Sequence, residues 1–123
     1  MNNRSTEIAR ITYQALDEKK AEDIKVIGIG DITIIADYFV IANGTSTTQV
    51  KALADYLEKE LSEQGITPLR IEGYSSANWI LLDYGSVIAH VFYKETREFY
   101  NLERLWKDGQ YLQLTDFIDP EEI

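Results

Sequence analysis

A chain of 123 residues, 45% of them hydrophobic and 27% charged, is sized for one domain with a substantial core. With no cysteine it has no disulfide framework, thiolate nucleophile or cysteine-based zinc site, and no apolar run approaches the ~20 residues of a membrane span. Its formal net charge of -9 repels nucleic-acid backbones and favours a basic protein surface as partner, because the lysines and arginines near 18–20 and 97–104 are interleaved with acids.

In chain order, Ile8, Ile11, Ala15 and Leu16 recur at helical spacing within 5–21, with Ser5 or Thr6 available as cap. The start of the chain lacks the apolar core of a secretory signal, so a cytoplasmic location is expected. Residues 23–30 predict a buried strand, 32–35 a connection, and 37–42 a second strand covered on both faces and stopped by Asn43-Gly44. Ser46-Thr47-Thr48-Gln49 is a capping box, in which the glutamine reaches back to the cap amide. The helix it opens carries Val50, Leu53, Ala54, Leu57 and Leu61 in one apolar stripe and can close at Gly65. A strand over 66–72 has Pro68 near its start, which suits a sheet edge, and 73–78 is a polar loop.

Residues 79–92 read as a β-hairpin. A two-residue loop at Tyr84-Gly85 sets Asp83 opposite Ser86, Leu82 opposite Val87 and Trp79 opposite His90. Alternation then places Ile80, Leu82, Val87, Ala89 and Val91 on an aliphatic face, and Trp79, Leu81, Asp83, Ser86, Ile88, His90 and Phe92 on a mixed one. A last helix over 96–107 carries Phe99, Leu102 and Trp106 along one side, with Gly109 as stop. The pattern predicts a single α/β (α+β) domain over 1–109, a mixed sheet of about five strands with flanking helices in the order αββαβββα, and an acidic tail at 110–123. The sequence leaves open whether that tail packs.

Catalytic signals are sparse. His90 is the one histidine, and nothing in its spacing pairs it with an activated serine or threonine. One histidine without cysteine also makes a poor zinc site, so no metal or cofactor is expected. Asn43-Gly44-Thr45-Ser46 is a strand, turn and helix start that could cradle phosphate, the alternative being a nucleotidyltransferase-like enzyme. That chemistry needs two carboxylates for magnesium, and the next strand offers only Glu72, flanked at alternate positions by Arg70 and Tyr74. Turn and cap chemistry accounts for the same residues. Protein binding has better candidates: Trp79 as anchor, with Tyr84, Asp83 and Glu72 near it, although Trp79 serves equally well as core.

These residues also carry a resemblance. The block Asp37-Tyr38-Phe39-Val40-Ile41 with Gly44-Thr45-Ser46 and Gln49-Val50, the block 79–92 and the block 97–106 together resemble the ribosomal silencing factor family, also called Iojap-like proteins, across most of 6–107. The resemblance implies a nucleotidyltransferase-like fold without transferase activity. It also implies binding to the large ribosomal subunit through its fourteenth protein, which blocks small-subunit joining and represses translation under nutrient limitation, and a possible homodimer. The expected contact set is Trp79, Leu82, Asp83 and Tyr84, with Glu72 and Tyr100 as lesser members; Leu82 enters because a residue near a hairpin tip can be reached from either side. His90, Arg97 and Glu103 are expected to form internal hydrogen bonds or ion pairs.

Overall fold

A computed structural model describes residues 3–105 and 108–112. The elements are α1 (Asn3–Glu18), β1 (Glu22–Gly28), β2 (Tyr38–Gly44), α2 (Thr47–Glu63), β3 (Arg70–Glu72), β4 (Trp79–Asp83), β5 (Val87–Tyr93), α3 (Lys94–Tyr100), α4 (Leu102–Leu105) and β6 (Gln110–Leu112). The strands form one mixed six-stranded sheet in the order β3-β4-β5-β2-β1-β6, in which β2 and β5 run parallel and every other pair is antiparallel. The strand beyond the expected five is β6, which pairs with β1 through Val26, Ile27 and Gly28. The sheet therefore continues past residue 109.

Every residue of β2 is buried, as its unbroken apolar sequence requires at the middle of a sheet covered on both faces. Helices α1 and α2 cover the first face, where Leu16, Leu53, Leu57 and Leu61 meet Val40, Ile80, Leu82, Val87, Ala89 and Val91. The buried stripe of α2 is Val50, Leu53, Ala54, Leu57 and Leu61, as its periodicity predicts. Ser46 caps the helix by accepting from the Gln49 amide at 3.1 Å. The Gln49 side chain reaches one residue further back than expected, accepting from the Thr45 amide at 2.7 Å while it lies against Gly44. At the other end Gly65 takes φ +75, and the amides of Gly65 and Ile66 bond to the carbonyls of Ser62 and Leu61 in a Schellman closure.

Three local expectations change. Helix α1 starts at Asn3, so Ser5 is not its cap; it is buried within the helix and donates to Asp37 Oδ2 at 2.6 Å, tying the helix to the start of β2. The expected single helix over 96–107 is two short ones, because Asn101 adopts a left-handed conformation at φ 47 that ends α3. Trp106, placed on that helix by its spacing, lies outside the described residues.

The hairpin register also moves. Leu82 pairs with Ala89, Leu81 with His90 and Trp79 with Phe92, because the tip is Gly85-Ser86: the Tyr84 amide bonds to the Val87 carbonyl at 2.9 Å and Gly85 takes φ +83. The displacement is two residues, and strand side chains alternate with period two. Both faces therefore keep the membership that alternation predicts.

Candidate protein-docking surface

The second face of the sheet is closed only in part. Ile27, Phe39, Ile41, Ile88 and Phe92 are buried there beneath Ile29 and Ala36 of the β1–β2 connection and Leu102 of α4. Trp79 and Leu81 pack against the flank of this cluster and keep part of their surface in solvent. Toward β3, the register aligns Arg70 with Asp83 and Glu72 with Leu81, so these four share the second face and Ile71 turns inward opposite Leu82. The part of this face floored by β3 and β4, two of the six strands, thus has no helix layer across it among the described residues.

Trp79 is held from several sides. Its indole Nε1 donates to His90 Nδ1 at 3.1 Å, and its ring lies 4.8 Å from that of Phe92 and 5.1 Å from that of Tyr100. The bond is diagonal across the hairpin, since the residue directly opposite Trp79 is Phe92. Accepting at Nδ1 assigns the His90 proton to Nε2. Burial lowers the His90 pKa to about 4, so the ring is neutral near pH 7 and remains an acceptor for the indole. Its Nε2 has no partner among the described residues, and Phe39 meets the ring edge-on at 4.7 Å. The histidine thus orients the tryptophan.

The loop behind Trp79 is equally constrained. Gly73 sits at φ +80, and a Cβ there would lie 2.0 Å from the Trp79 carbonyl oxygen, so only glycine permits this approach.

The expected contact residues separate. Leu82 is 0% exposed beneath the helical layer, so its side chain offers nothing to a partner; the period-two alternation that hides it turns Leu81 outward instead. Tyr84 is buried for the same reason of parity, and burial pushes its phenol pKa up. Asp83 is engaged at the hairpin tip, accepting from the Gly85 amide at 2.8 Å and from Arg70 Nε at 3.2 Å. Arg70 also approaches Glu72 at 3.5 Å, so one cation lies between the two acids. Tyr100 is 53% exposed and Glu72 is exposed. Phe99, expected on the same helix side as Leu102, is 82% exposed and meets Tyr100 edge-on at 5.1 Å, whereas Leu102 is buried. The solvent-accessible apolar side chains of this region that the expected set lacks are Leu81 and Phe99. Alternation along β4 already signalled the first; the second depends on where α3 ends.

Arg97 and Glu103 belong to a separate interior network. The Arg97 guanidinium is buried and donates to the Asp23 carbonyl at 2.7 Å, to Asn43 Oδ1 at 2.9 Å and to Glu103 at 3.3 Å. These bonds pin α3 and α4 to β1 and β2, and Tyr111 of β6 donates to the Glu103 carbonyl at 3.3 Å. The phosphate-cradle alternative finds no such assembly. The Thr45 amide already donates to Gln49 and the Gln49 amide to Ser46, and β3, which carries Glu72, is separated from β2 by β4 and β5. Among the described residues no group of three or more His, Asp or Glu side chains is placed to hold a metal, and no helix is long and apolar enough to cross a membrane.

Comparison with known proteins agrees with this architecture. The chain is 44% identical over 112 residues to ribosomal silencing factor RsfS of Halalkalibacterium halodurans, covering 91% of this chain and 96% of that one. It is 37% identical over 115 residues to the mouse protein named mitochondrial assembly of ribosomal large subunit protein 1, covering 88% of this chain and 50% of the mouse protein. A crystal structure of a Chromobacterium violaceum protein superposes with a TM-score of 0.81 at 34% identity, covering 92% of each chain. The family model described as ribosomal silencing factor during starvation matches residues 2–122, and the chain belongs to that family.

Proposed function

We propose that this protein is a non-catalytic regulator of translation that binds the large ribosomal subunit through the uncovered part of its second sheet face. On this reading it docks on the subunit's fourteenth protein, blocks joining of the small subunit and represses translation when nutrients are limiting. The single observation that carries the site is the partly exposed cluster of Trp79, Leu81 and Tyr100, oriented by the bond from Trp79 to His90. Large aromatics in a preorganised patch are the side chains that dominate interface energies. The names of the relatives, silencing factor in the bacteria and large-subunit assembly in the mouse, support the choice of partner. The net charge of -9 suits a basic protein set in RNA, whose phosphates would repel misplaced encounters. A homodimer fits the same fold, since among the described residues β3 is an edge strand of the sheet.

Co-sedimentation with isolated large subunits tests this reading. The chain should pellet with them, less so as salt rises, and Tyr100→Ala and Leu81→Ala should each weaken binding by about tenfold or more with the circular dichroism spectrum unchanged. Undiminished binding of both variants would move the site elsewhere, and failure of the unaltered chain to pellet would reject the function.

A further inference from the structure

On the α3 side of Trp79 lies an open groove of about 570 Å³ lined by Trp79, Tyr93, Phe99, Tyr100 and Glu95, among others. Phe99 and Tyr100 stand exposed at its rim, and among the described residues Glu95 has no ion-pair partner. Elsewhere the chain covers aromatic rings with its own cations: Lys19 and Lys59 lie over Tyr56, and Lys51 over Tyr74. Among the described residues none lies over the four rings of the groove. The two cations of α3, Lys94 and Arg97, line a different cavity with Glu22, Asn43 and Glu103.

Aromatic faces attract a cation through their quadrupoles, and a carboxylate beside them adds its charge. A planar guanidinium can stack on such a wall while its N–H groups reach the carboxylate, which a compact ammonium does less well. A nucleobase would stack too, but its phosphates would face Glu95 and a chain of net charge -9. We propose that this groove receives an arginine side chain from a basic protein partner, stacked on the aromatic surface that the touching rings of Trp79 and Tyr100 form together, with Glu95 as counter-charge. The proposal rests on the docking reading above for the identity of the partner, but not for the chemistry of the groove.

The experiment is a titration of the full ¹⁵N-labelled chain with the peptide acetyl-Gly-Arg-Gly-amide at constant ionic strength. It follows the Trp79 indole resonance, assigned by its loss in Trp79→Phe. Arginine peptide should shift that resonance saturably, the same peptide with citrulline should not, and Glu95→Gln should weaken binding by about threefold while leaving the spectrum otherwise intact. An unsaturable shift, an equal effect of citrulline, no change in Glu95→Gln, or tighter binding of a short oligouridylate would each overturn the proposal. Co-sedimentation of the unaltered chain, run in parallel, separates the two ideas. Arginine binding without co-sedimentation sinks the docking function alone; co-sedimentation without arginine binding sinks this inference alone.

Discussion

Leu82 and Leu81 are neighbours on one strand with opposite fates. The first is fully buried between the sheet and the helices, while the second keeps part of its surface in water on a face that, among the described residues, the β1–β2 connection and short helices cover in part. The difference extends to the two faces as wholes. The α1/α2 face is sealed by aliphatic packing, whereas the other face mixes a compact cluster around Phe39, Ile41 and Phe92 with an open flank bearing Trp79, Leu81, Asp83, Arg70 and Glu72. A surface that stores stability is closed. A surface proposed for recognition must stay open, and the aromatic centre of this one is held in place by a buried neutral histidine.

That contrast can be broken or sharpened by substitution. The largest effect is expected from Leu82→Ala, which empties a fully buried position and should destabilise by about 2–5 kcal/mol in urea titration. Leu81→Ala should cost under about 1.5 kcal/mol in the same assay; equal losses would erase the distinction between the faces.

Next in size is the pH dependence contributed by His90. Its folded pKa near 4 lies below the ordinary value of 6.5, so between these limits the unfolded chain holds a proton that the folded one does not. This contribution is complete above pH 6.5 and declines as pH falls toward 4, by about 1.4 kcal/mol per pH unit within the window. His90→Gln should flatten that part of the stability–pH curve relative to the unaltered chain, and an unchanged slope would show that the ring is not buried neutral. Gly73→Ala, which sets a methyl group against the Trp79 carbonyl at positive φ, should cost about 1–3 kcal/mol and shift the Trp79 indole resonance. The smallest is Ser46→Ala, remote from both features, at about 1 kcal/mol from the lost α2 cap and with no effect on large-subunit binding.

Much of this was legible in the residues. The buried stripe of α2, the Gly65 closure, the doubly covered β2 and the membership of both hairpin faces all follow from periodicity, and periodicity survives errors of detail. The hairpin shows why: its register differs from the expected one by two residues, yet every side chain of its two strands stays on its predicted face. The contact set was less legible. Leu82 enters the expected set against the alternation that hides it, Tyr84 is expected in a tip that is instead Gly85-Ser86, and Asp83 is engaged with Gly85 and Arg70. Strand β6 and the break at Asn101 were not visible either. A three-residue edge strand has too short a pattern, and an asparagine in the left-handed region leaves no periodic trace.

By itself the sequence determined which residues face inward along each element, because the periods of helix and strand are local properties of the backbone. It also carried the family, through blocks that remain recognisable when their contacts are unknown. Only the tertiary structure decided which inward faces are sealed. Whether a layer covers Leu81 or Leu82 depends on where α2, α3 and the β1–β2 connection come to rest, and that is settled by packing between segments far apart in the chain.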